Sequence, residues 1–132
     1  MRYMLDTDIC IYIAKKKPAS LLGRLRSLSS GDVCLSVITY AELRYGAEKS
    51  NQRTENLEVI ERLRNVIPVV AFEETASAEY GIIRAHLEKK GRLIGGNDLL
   101  IAAHARALHL ILVTNNVREF KRVPDLSVEL LT

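Results

Sequence analysis

The chain has 132 residues, of which 48% are hydrophobic and 27% are charged, and this is the composition of one ordinary globular domain. It excludes a disordered chain, a collagen-like repeat and a disulfide-rich scaffold. No apolar run approaches the roughly 18 residues that a membrane helix needs, and Asp6 stands where the apolar core of a secretory leader would continue. We therefore expect one domain over residues 1–132, located in the cytoplasm and without membrane association.

The formal net charge is +3, which by itself is a weak indication of nucleic-acid binding. The distribution of the acids matters more, because any acids that gather at one site leave the remaining surface more basic. The two cysteines, Cys10 and Cys34, have apolar neighbours in the sequence. We expect both to be reduced thiols that pack as small buried hydrophobic groups.

Short apolar runs alternate along the chain with segments of helical periodicity. Strands that alternate with helices predict an α/β fold, in which a mostly parallel sheet is covered on both faces. The segment 97–108 is apolar around nearly its whole circumference, which is typical of a core helix. In chain order the predicted elements are strand 3–5, helix 9–16, helix 19–28, strand 33–37, helix 39–49, helix 54–65, strand 66–72, helix 73–90, helix 97–108, strand 110–114 and a weaker strand 127–131.

Acidic residues follow several of the predicted strands. Asp6 comes directly after the first strand, Glu42 lies early in the helix after the second, Asp98 opens the core helix, and Glu119 lies about one helical turn beyond strand 110–114. Ligands of parallel sheets bind beyond the carboxyl ends of the strands. We therefore expect these four carboxylates to lie at one edge of the sheet and to form a catalytic site.

Each acid also has a structural explanation. A carboxylate at the end of a buried strand, as at Asp6, needs a partner or a metal. Asp98 is also a favourable first-turn residue of a helix, Glu42 is expected to be half-buried, and Glu119 fits a solvated ion pair. Asp8 is most simply the N-cap of a helix that begins at residue 9.

Polar neighbours are expected to support the acids. We expect Thr7 to orient Asp6, and Thr114 and Asn116 to hold the site by hydrogen bonds. The core helix is expected to begin with Asn97 as its N-cap.

Carboxylates that meet without a buried cation repel one another, and a divalent cation removes that repulsion. Ligands that are all oxygens favour Mg²⁺, with Mn²⁺ as the alternative, and such an ion supports hydrolysis of a phosphodiester. The histidines His86, His104 and His109 lack the cysteine spacing of a zinc site. Cations near the acids could contact phosphates or be ordinary solvated side chains; they are Arg84, Lys89, Lys90, Arg92, Arg118, Lys121 and Arg122.

Four landmarks carry a family resemblance, in this order: MLDTD at 4–8, TYAELRYGA at 39–47, GNDLLIAAHA at 96–105 and VTNNVREF at 113–120. Together they resemble the PIN-domain ribonucleases, and more narrowly the VapC toxins of bacterial toxin–antitoxin pairs. The resemblance implies a three-layer α/β/α fold with a central, mostly parallel sheet of four to five strands. It also implies Mg²⁺- or Mn²⁺-dependent endonucleolytic cleavage of RNA, with Asp6, Glu42 and Asp98 as metal ligands.

The same resemblance implies partners. They are a second copy of the chain in a homodimer, a VapB-type antitoxin that neutralises the toxin, and promoter DNA reached only through the antitoxin. The implied substrate is tRNA, with initiator tRNA as the leading candidate, and its cleavage would inhibit translation.

The chain departs from the general PIN pattern after the strand 110–114. Many PIN domains have a fourth acid there, whereas this chain has Asn115 and Asn116. Glu119 is the candidate to supply the missing carboxylate, and both one-metal and two-metal catalysis remain open.

Two other functions remain open from the sequence. The segment Asp6-Thr7-Asp8 after an apolar strand is similar to the nucleophile motif of haloacid-dehalogenase-type phosphotransferases, in which Asp6 would attack phosphorus and Asp8 would act as the acid and base. The second alternative is a non-catalytic dimeric partner of a DNA-binding repressor.

Overall fold

The computed structural model describes residues 1–15, residue 23 and residues 30–130. The predicted helix 19–28 lies outside the described residues, apart from residue 23. The described chain forms an α/β fold around a five-stranded sheet, and the predicted fold class is confirmed.

All pairings in the sheet are parallel, and the order is β3-β2-β1-β4-β5. The strands are β1 Tyr3–Leu5, β2 Val33–Ser36, β3 Val69–Val70, β4 Ile111–Thr114 and β5 Val128–Leu130. The first strand is the central one, with Met4 opposite Cys34 on one side and opposite Leu112 on the other. The segments that follow β1, β2 and β4 therefore leave the sheet at the same edge.

Helices cover both faces of the sheet because its strands are apolar on both sides. In β1, Met4 packs in one hydrophobic cluster, while Tyr3 and Leu5 pack in the other, as the alternation of strand side chains requires. The described helices are α1 Thr7–Lys15, α2 Val37–Glu48, α3 Arg53–Val66, α4 Glu74–Lys89, α5 Gly96–Ala107 and α6 Val117–Phe120. None of these helices is long and apolar enough to cross a membrane.

Helix α5 is the core helix that the sequence predicts. Residues Ile101, Ala102, Ala103 and Ala105 are fully buried, and they belong to the cluster that also contains Ile83 and Leu87 of α4. A helix buried on most sides can hold its first turn in a fixed position, which matters because that turn carries Asp98.

The structure corrects the predicted strand 66–72, which reduces to Val69–Val70. Helix α3 continues to Val66, and the backbone N–H of Ile67 still donates to Leu63 O at 2.8 Å. The first residue of the apolar run, Val66, therefore belongs to the helix, and the chain becomes extended at Ile67.

Four helices begin earlier than the sequence predicts, and α3 does so by a single residue. Helix α1 begins at Thr7, so Asp8 lies inside its first turn and is not its N-cap. Helix α2 begins at Val37, because the Ser36 side chain accepts a hydrogen bond from Ile38 N at 3.0 Å and caps the helix. Helix α5 begins at Gly96 with Gly95 at the N-cap position, so the prediction of Asn97 as the cap is wrong.

Candidate functional site

Asp6 lies at the carboxyl end of the central strand, and only 3% of it is exposed. Its backbone N–H donates to Val113 O at 2.9 Å, which fixes it against β4. Its Oδ1 accepts from the backbone N–H of Thr7 and its Oδ2 from the hydroxyl of Thr114, both at 2.7 Å. Burial nevertheless raises the pKa of Asp6 from 3.8 to about 6, because the two hydrogen bonds only partly offset the loss of water.

Asp98 lies in the first turn of α5 and is partly buried. Burial raises its pKa from 3.8 to about 7, and the negative charges of other carboxylates add to the rise. In decreasing order of effect these are Asp6, Glu119, Glu42 and Asp8. No cationic side chain is among the charges that shift this pKa. The charges that the described residues exert on Asp98 are therefore all negative.

Glu42 projects from α2 and accepts hydrogen bonds at both carboxylate oxygens. The hydroxyl of Thr7 donates to its Oε1 at 2.5 Å, and the side-chain amide of Asn97 donates to its Oε2 at 3.2 Å. Thr7 Oγ1 also lies 3.2 Å from Thr39 Oγ1. Thr7 therefore supports two acids, with its backbone N–H bound to Asp6 and its hydroxyl directed to Glu42.

Glu119 lies in the short helix α6 and faces the loop that precedes α5. Its Oε1 accepts from Gly95 N at 3.2 Å and its Oε2 from Asn116 Nδ2 at 2.6 Å. The backbone N–H of Asn116 in turn donates to Thr114 Oγ1 at 2.9 Å. A continuous set of hydrogen bonds thus runs from Glu119 through Asn116 and Thr114 to Asp6. The structure brings Asp6, Glu42, Asp98 and Glu119 to one edge of the sheet, and we call these four residues the acidic site.

Two supporting groups were not identified from the sequence in these roles. Asn97 was expected to cap α5, yet its amide reaches Glu42 on another helix. Gly95 supports the site through its backbone N–H, which donates to Glu119 Oε1 at 3.2 Å, and a Cβ atom added there would be in ordinary contact with Asp98 Oδ2 at 3.4 Å. The sequence signal that could have indicated these roles is that both residues lie within three positions of Asp98.

A buried polar pair links the helices that carry Asp98 and Glu42. His104 of α5 places Nδ1 2.8 Å from Ser36 Oγ, and Ser36 caps α2. Burial lowers the pKa of His104 below its usual value of 6.5, which favours the neutral ring. His104 therefore forms a buried polar contact between α5 and the start of α2.

The chemistry of the donors fits a hard divalent cation better than a soft one, because the acidic site offers only oxygen atoms. Among the residues that the structure describes, no three His, Cys, Asp or Glu side chains already form a group that could hold a metal ion. The negative charges of the other acids therefore affect the pKa of Asp98, but the carboxylates are not arranged as the ligands of one ion. Mg²⁺ suits such an arrangement, since it retains several water ligands and needs only one or two direct carboxylate ligands.

Comparison with known proteins places these residues in a defined family. The model of the PIN domain family matches residues 3–126. The chain is 47% identical over 129 residues to Ribonuclease VapC2 of Haemophilus influenzae, covering 98% of this chain and 97% of that protein. It is also 47% identical over 129 residues to a protein of Shigella flexneri named tRNA(fMet)-specific endonuclease VapC, with the same coverage.

Solved structures give the same result for the fold. The DNA-bound VapBC complex of Salmonella typhimurium contains a chain that matches with a TM-score of 0.95 and 40% identity, covering 100% of this chain and 99% of that one. The VapBC2 complex of Rickettsia felis, bound to a DNA fragment from its promoter, matches with a TM-score of 0.92 and 41% identity over 98% of each chain.

Proposed function

The chain belongs to the PIN-domain family, and from this premise we propose that it is an endoribonuclease of the VapC type, the toxin of a toxin–antitoxin pair. Relatives that are 47% identical over nearly their whole length are named ribonuclease and endonuclease. The family match over residues 3–126 also replaces the phosphotransferase hypothesis, since it assigns Asp6 to a nuclease fold.

The observation that carries a metal-dependent mechanism is the electrostatic state of Asp98. Its pKa is raised to about 7 by burial and by carboxylates from four other positions. No cationic side chain is among the charges that shift the pKa of Asp98, so a cation from outside the chain would stabilise the ionised form of the acidic site. We propose Mg²⁺ as that cation, with Mn²⁺ able to replace it.

In this proposal Asp6, Glu42 and Asp98 hold the cation. The bound ion supplies charge neutralisation at the phosphodiester and a more acidic water molecule. Thr114 and Thr7 keep Asp6 and Glu42 oriented through the hydrogen bonds at 2.7 Å and 2.5 Å. Glu119 keeps the loop before α5 in place through Gly95 N, and its second oxygen is held by Asn116, so its part in catalysis is to complete the negative charge of the site.

The proposed substrate is tRNA, and initiator tRNA in particular. Two relatives, from Shigella flexneri at 47% identity and from Salmonella typhimurium at 41% identity, are named tRNA(fMet)-specific endonuclease VapC. Cleavage of an initiator tRNA would inhibit translation at its first step.

The proposed protein partner is a VapB-type antitoxin. Neighbouring structures are VapBC complexes, and two of them are bound to DNA. We propose that this chain also pairs with itself in a homodimer, and that it reaches promoter DNA only through the antitoxin.

The decisive experiment is RNA cleavage by the purified protein. Wild-type protein should cut initiator tRNA with Mg²⁺ or Mn²⁺ and stop with EDTA, whereas elongator methionine tRNA should be cut more slowly. Asp6→Asn and Asp98→Asn should each lose at least 100-fold in rate, about 3 kcal/mol in transition-state free energy.

Asp125→Asn is the matched control, because Asp125 is exposed and precedes β5 at the opposite edge of the sheet. Its φ of 60° also suits asparagine, and its cleavage rate should equal that of the wild type. Binding of an antitoxin without cleavage of any tRNA under either metal would support the non-catalytic alternative and refute the enzyme.

A further inference from the structure

Two cation-rich segments lie side by side next to the acidic site. One covers residues 89–92 at and after the end of α4, and the other covers residues 118–122 on and after α6. Arg122 Nη1 donates to Leu93 O at 3.2 Å, and Gly95 N donates to Glu119 Oε1 at 3.2 Å, so the loop after the first segment is fastened to the second. We call the cations of these segments the basic rim: Lys89, Lys90, Arg92, Arg118, Lys121 and Arg122.

The cations of the basic rim do not form ion pairs with neighbouring acids in the described part of the chain. Lys89, Lys90, Arg92, Arg118 and Lys121 are exposed, and within the described part of the chain none of them forms an ion pair. The adjacent acid on α4, Glu88, is paired with Arg84 at 2.9 Å. Arg84 is therefore excluded from the rim, although it belongs to the same group of cations in the sequence.

Most cations on the other side of the acidic site, on α2 and α3, form ion pairs with acids. On α2 and α3, Arg44 lies 3.6 Å from Glu61, Arg53 lies 2.6 Å from Glu48, and Arg64 lies 3.8 Å from Glu61. These pairs neutralise much of the positive charge there. Of the four cations on α2 and α3, only Arg62 is outside an ion pair, whereas no cation of the basic rim forms one among the described residues. Of these two sides, the basic rim therefore offers a polyanion more uncompensated positive charge.

The basic rim lies beside the acidic site. Among the described residues, no cation of the basic rim forms an ion pair with Asp6, Glu42, Asp98 or Glu119, so the rim leaves the carboxylates available to a metal ion. The one acid within the rim segments, Glu119, is directed to Gly95 N and Asn116 Nδ2. Negative charge is thus held at the centre, and positive charge is presented along one border.

We propose that the basic rim binds the RNA backbone on one side of the phosphodiester that is cut. This inference rests on the proposed function and adds to it the surface that positions the substrate. Exposed Lys and Arg side chains recognise phosphates without regard to base sequence. The rim therefore supplies affinity and register for the RNA, and the choice of the cut position must come from other contacts.

The test compares two triple substitutions that remove the same charge. Arg92, Arg118 and Lys121 are changed to Gln in the rim variant, and Arg53, Arg62 and Arg64, all exposed on α3, are changed to Gln in the control. Both are made with Asp98→Asn to prevent cleavage. Binding of fluorescently labelled bulk tRNA in Mg²⁺ is then measured by anisotropy between 50 and 200 mM KCl, a range over which phosphate contacts change affinity strongly.

The rim variant should bind bulk tRNA about 100-fold more weakly at 50 mM KCl and about fivefold more weakly at 200 mM KCl, because its slope of log affinity against log salt should be smaller by about 2, with each of the three lost phosphate contacts contributing about 0.7. The control triple should change the affinity less than twofold. Equal weakening by both triples, or no weakening by the rim variant, overturns the proposal. Circular dichroism should show the same thermal midpoint for both, and the single substitutions Arg118→Gln and Lys121→Gln, each expected to reduce the slope by about 0.7, provide a second test.

Two further outcomes separate this proposal from the others. Unchanged tRNA binding by the rim variant, together with lost binding of the antitoxin, would make the rim a protein-docking surface and refute its role with RNA. Failure of the wild-type protein to cleave any tRNA would refute the proposed function, whereas the anisotropy comparison would still decide whether the rim binds RNA.

Discussion

The side-chain amide of Asn97 donates to Oε2 of Glu42 at 3.2 Å, across 55 residues of sequence. Asn97 precedes Asp98 in the first turn of α5, and Glu42 lies on α2. The contact therefore ties the positions of two acids from different helices. Because Glu42 has no cationic partner among the described residues, its orientation depends on this amide and on the hydroxyl of Thr7.

Replacement of Asn97 by Ala should reduce the cleavage rate by about 10- to 100-fold, the usual effect of losing a residue that orients a metal ligand. The thermal midpoint should change little because Asn97 is exposed. The measurement is kcat and KM for tRNA at saturating Mg²⁺. Asn51→Ala, in the exposed turn after α2, is the control, and an equal loss in both variants would contradict the role of Asn97.

Thr114 should be essential for its hydroxyl rather than its shape. Thr114→Val removes the donor to Asp6 Oδ2 and the acceptor for Asn116 N, and leaving such buried groups unpaired costs about 1–3 kcal/mol each. We expect a lower free energy of unfolding by chemical denaturation and a loss of activity. Thr114→Ser keeps the hydroxyl and should restore activity, and a Ser variant as impaired as the Val variant would refute the hydrogen-bond explanation.

The stability of the metal-free protein should fall as the pH rises from 5 to 8. The folded-state pKa values of Asp6 and Asp98, about 6 and about 7, lie above the ordinary value of 3.8, so the folded protein holds protons that the unfolded chain releases. Stability from these groups is complete below about pH 4 and is lost as the pH rises through 6 to 7. Asp6 alone should account for about 1.5 kcal/mol between pH 5 and 8.

Urea unfolding of EDTA-treated protein at several pH values measures this effect. Addition of Mg²⁺ at pH 8 should restore the lost stability, because the cation binds the ionised carboxylates of the folded state. Asp98→Asn should flatten the pH dependence. A wild-type protein that becomes more stable from pH 5 to 8 in EDTA would contradict the prediction.

The Ser36–His104 pair should contribute more than an ordinary helix cap. Ser36→Ala removes the cap of α2 and leaves Nδ1 of the buried His104 unpaired, for an expected loss of about 2–3 kcal/mol. Ser50→Ala is the matched control, because Ser50 Oγ accepts from Gln52 N and Asn56 Nδ2 at a more exposed position. Denaturation midpoints that drop equally in the two variants would show that the His104 contact adds nothing.

The sequence predicts the topology well because the central strands are short apolar runs that alternate with segments of helical periodicity. Tyr3–Leu5 and Ile111–Thr114 agree with prediction to within one residue. The predicted boundary between helix and strand is wrong at Val66 and Ile67. A short apolar run between a helix and a strand is compatible with the periodicity of either element. Only the packing of α3 decides where the helix ends.

The acids of the site are visible in the sequence, whereas most of their supporting contacts are not. Asp6 stands out because a carboxylate at the end of an apolar strand needs a partner or a metal. Asp98 is an ordinary first-turn acid by itself and stands out only as part of the GNDLLIAAHA landmark. The contacts of Asn97 with Glu42 and of Thr7 with Glu42 depend on how α1, α2 and α5 approach one another, and no local pattern encodes that approach. The same holds for the choice of Gly95 as the cap of α5.

Thr114 donates a hydrogen bond to Asp6 across 108 residues of sequence. The other acids of the site, Asp98 and Glu119, also come from the second half of the chain. During translation, a nascent chain that has emerged only as far as α4 has β1 but lacks β4 beside it, so it holds Asp6 without its neighbours. The acidic site can therefore be completed only when synthesis of the chain is nearly finished.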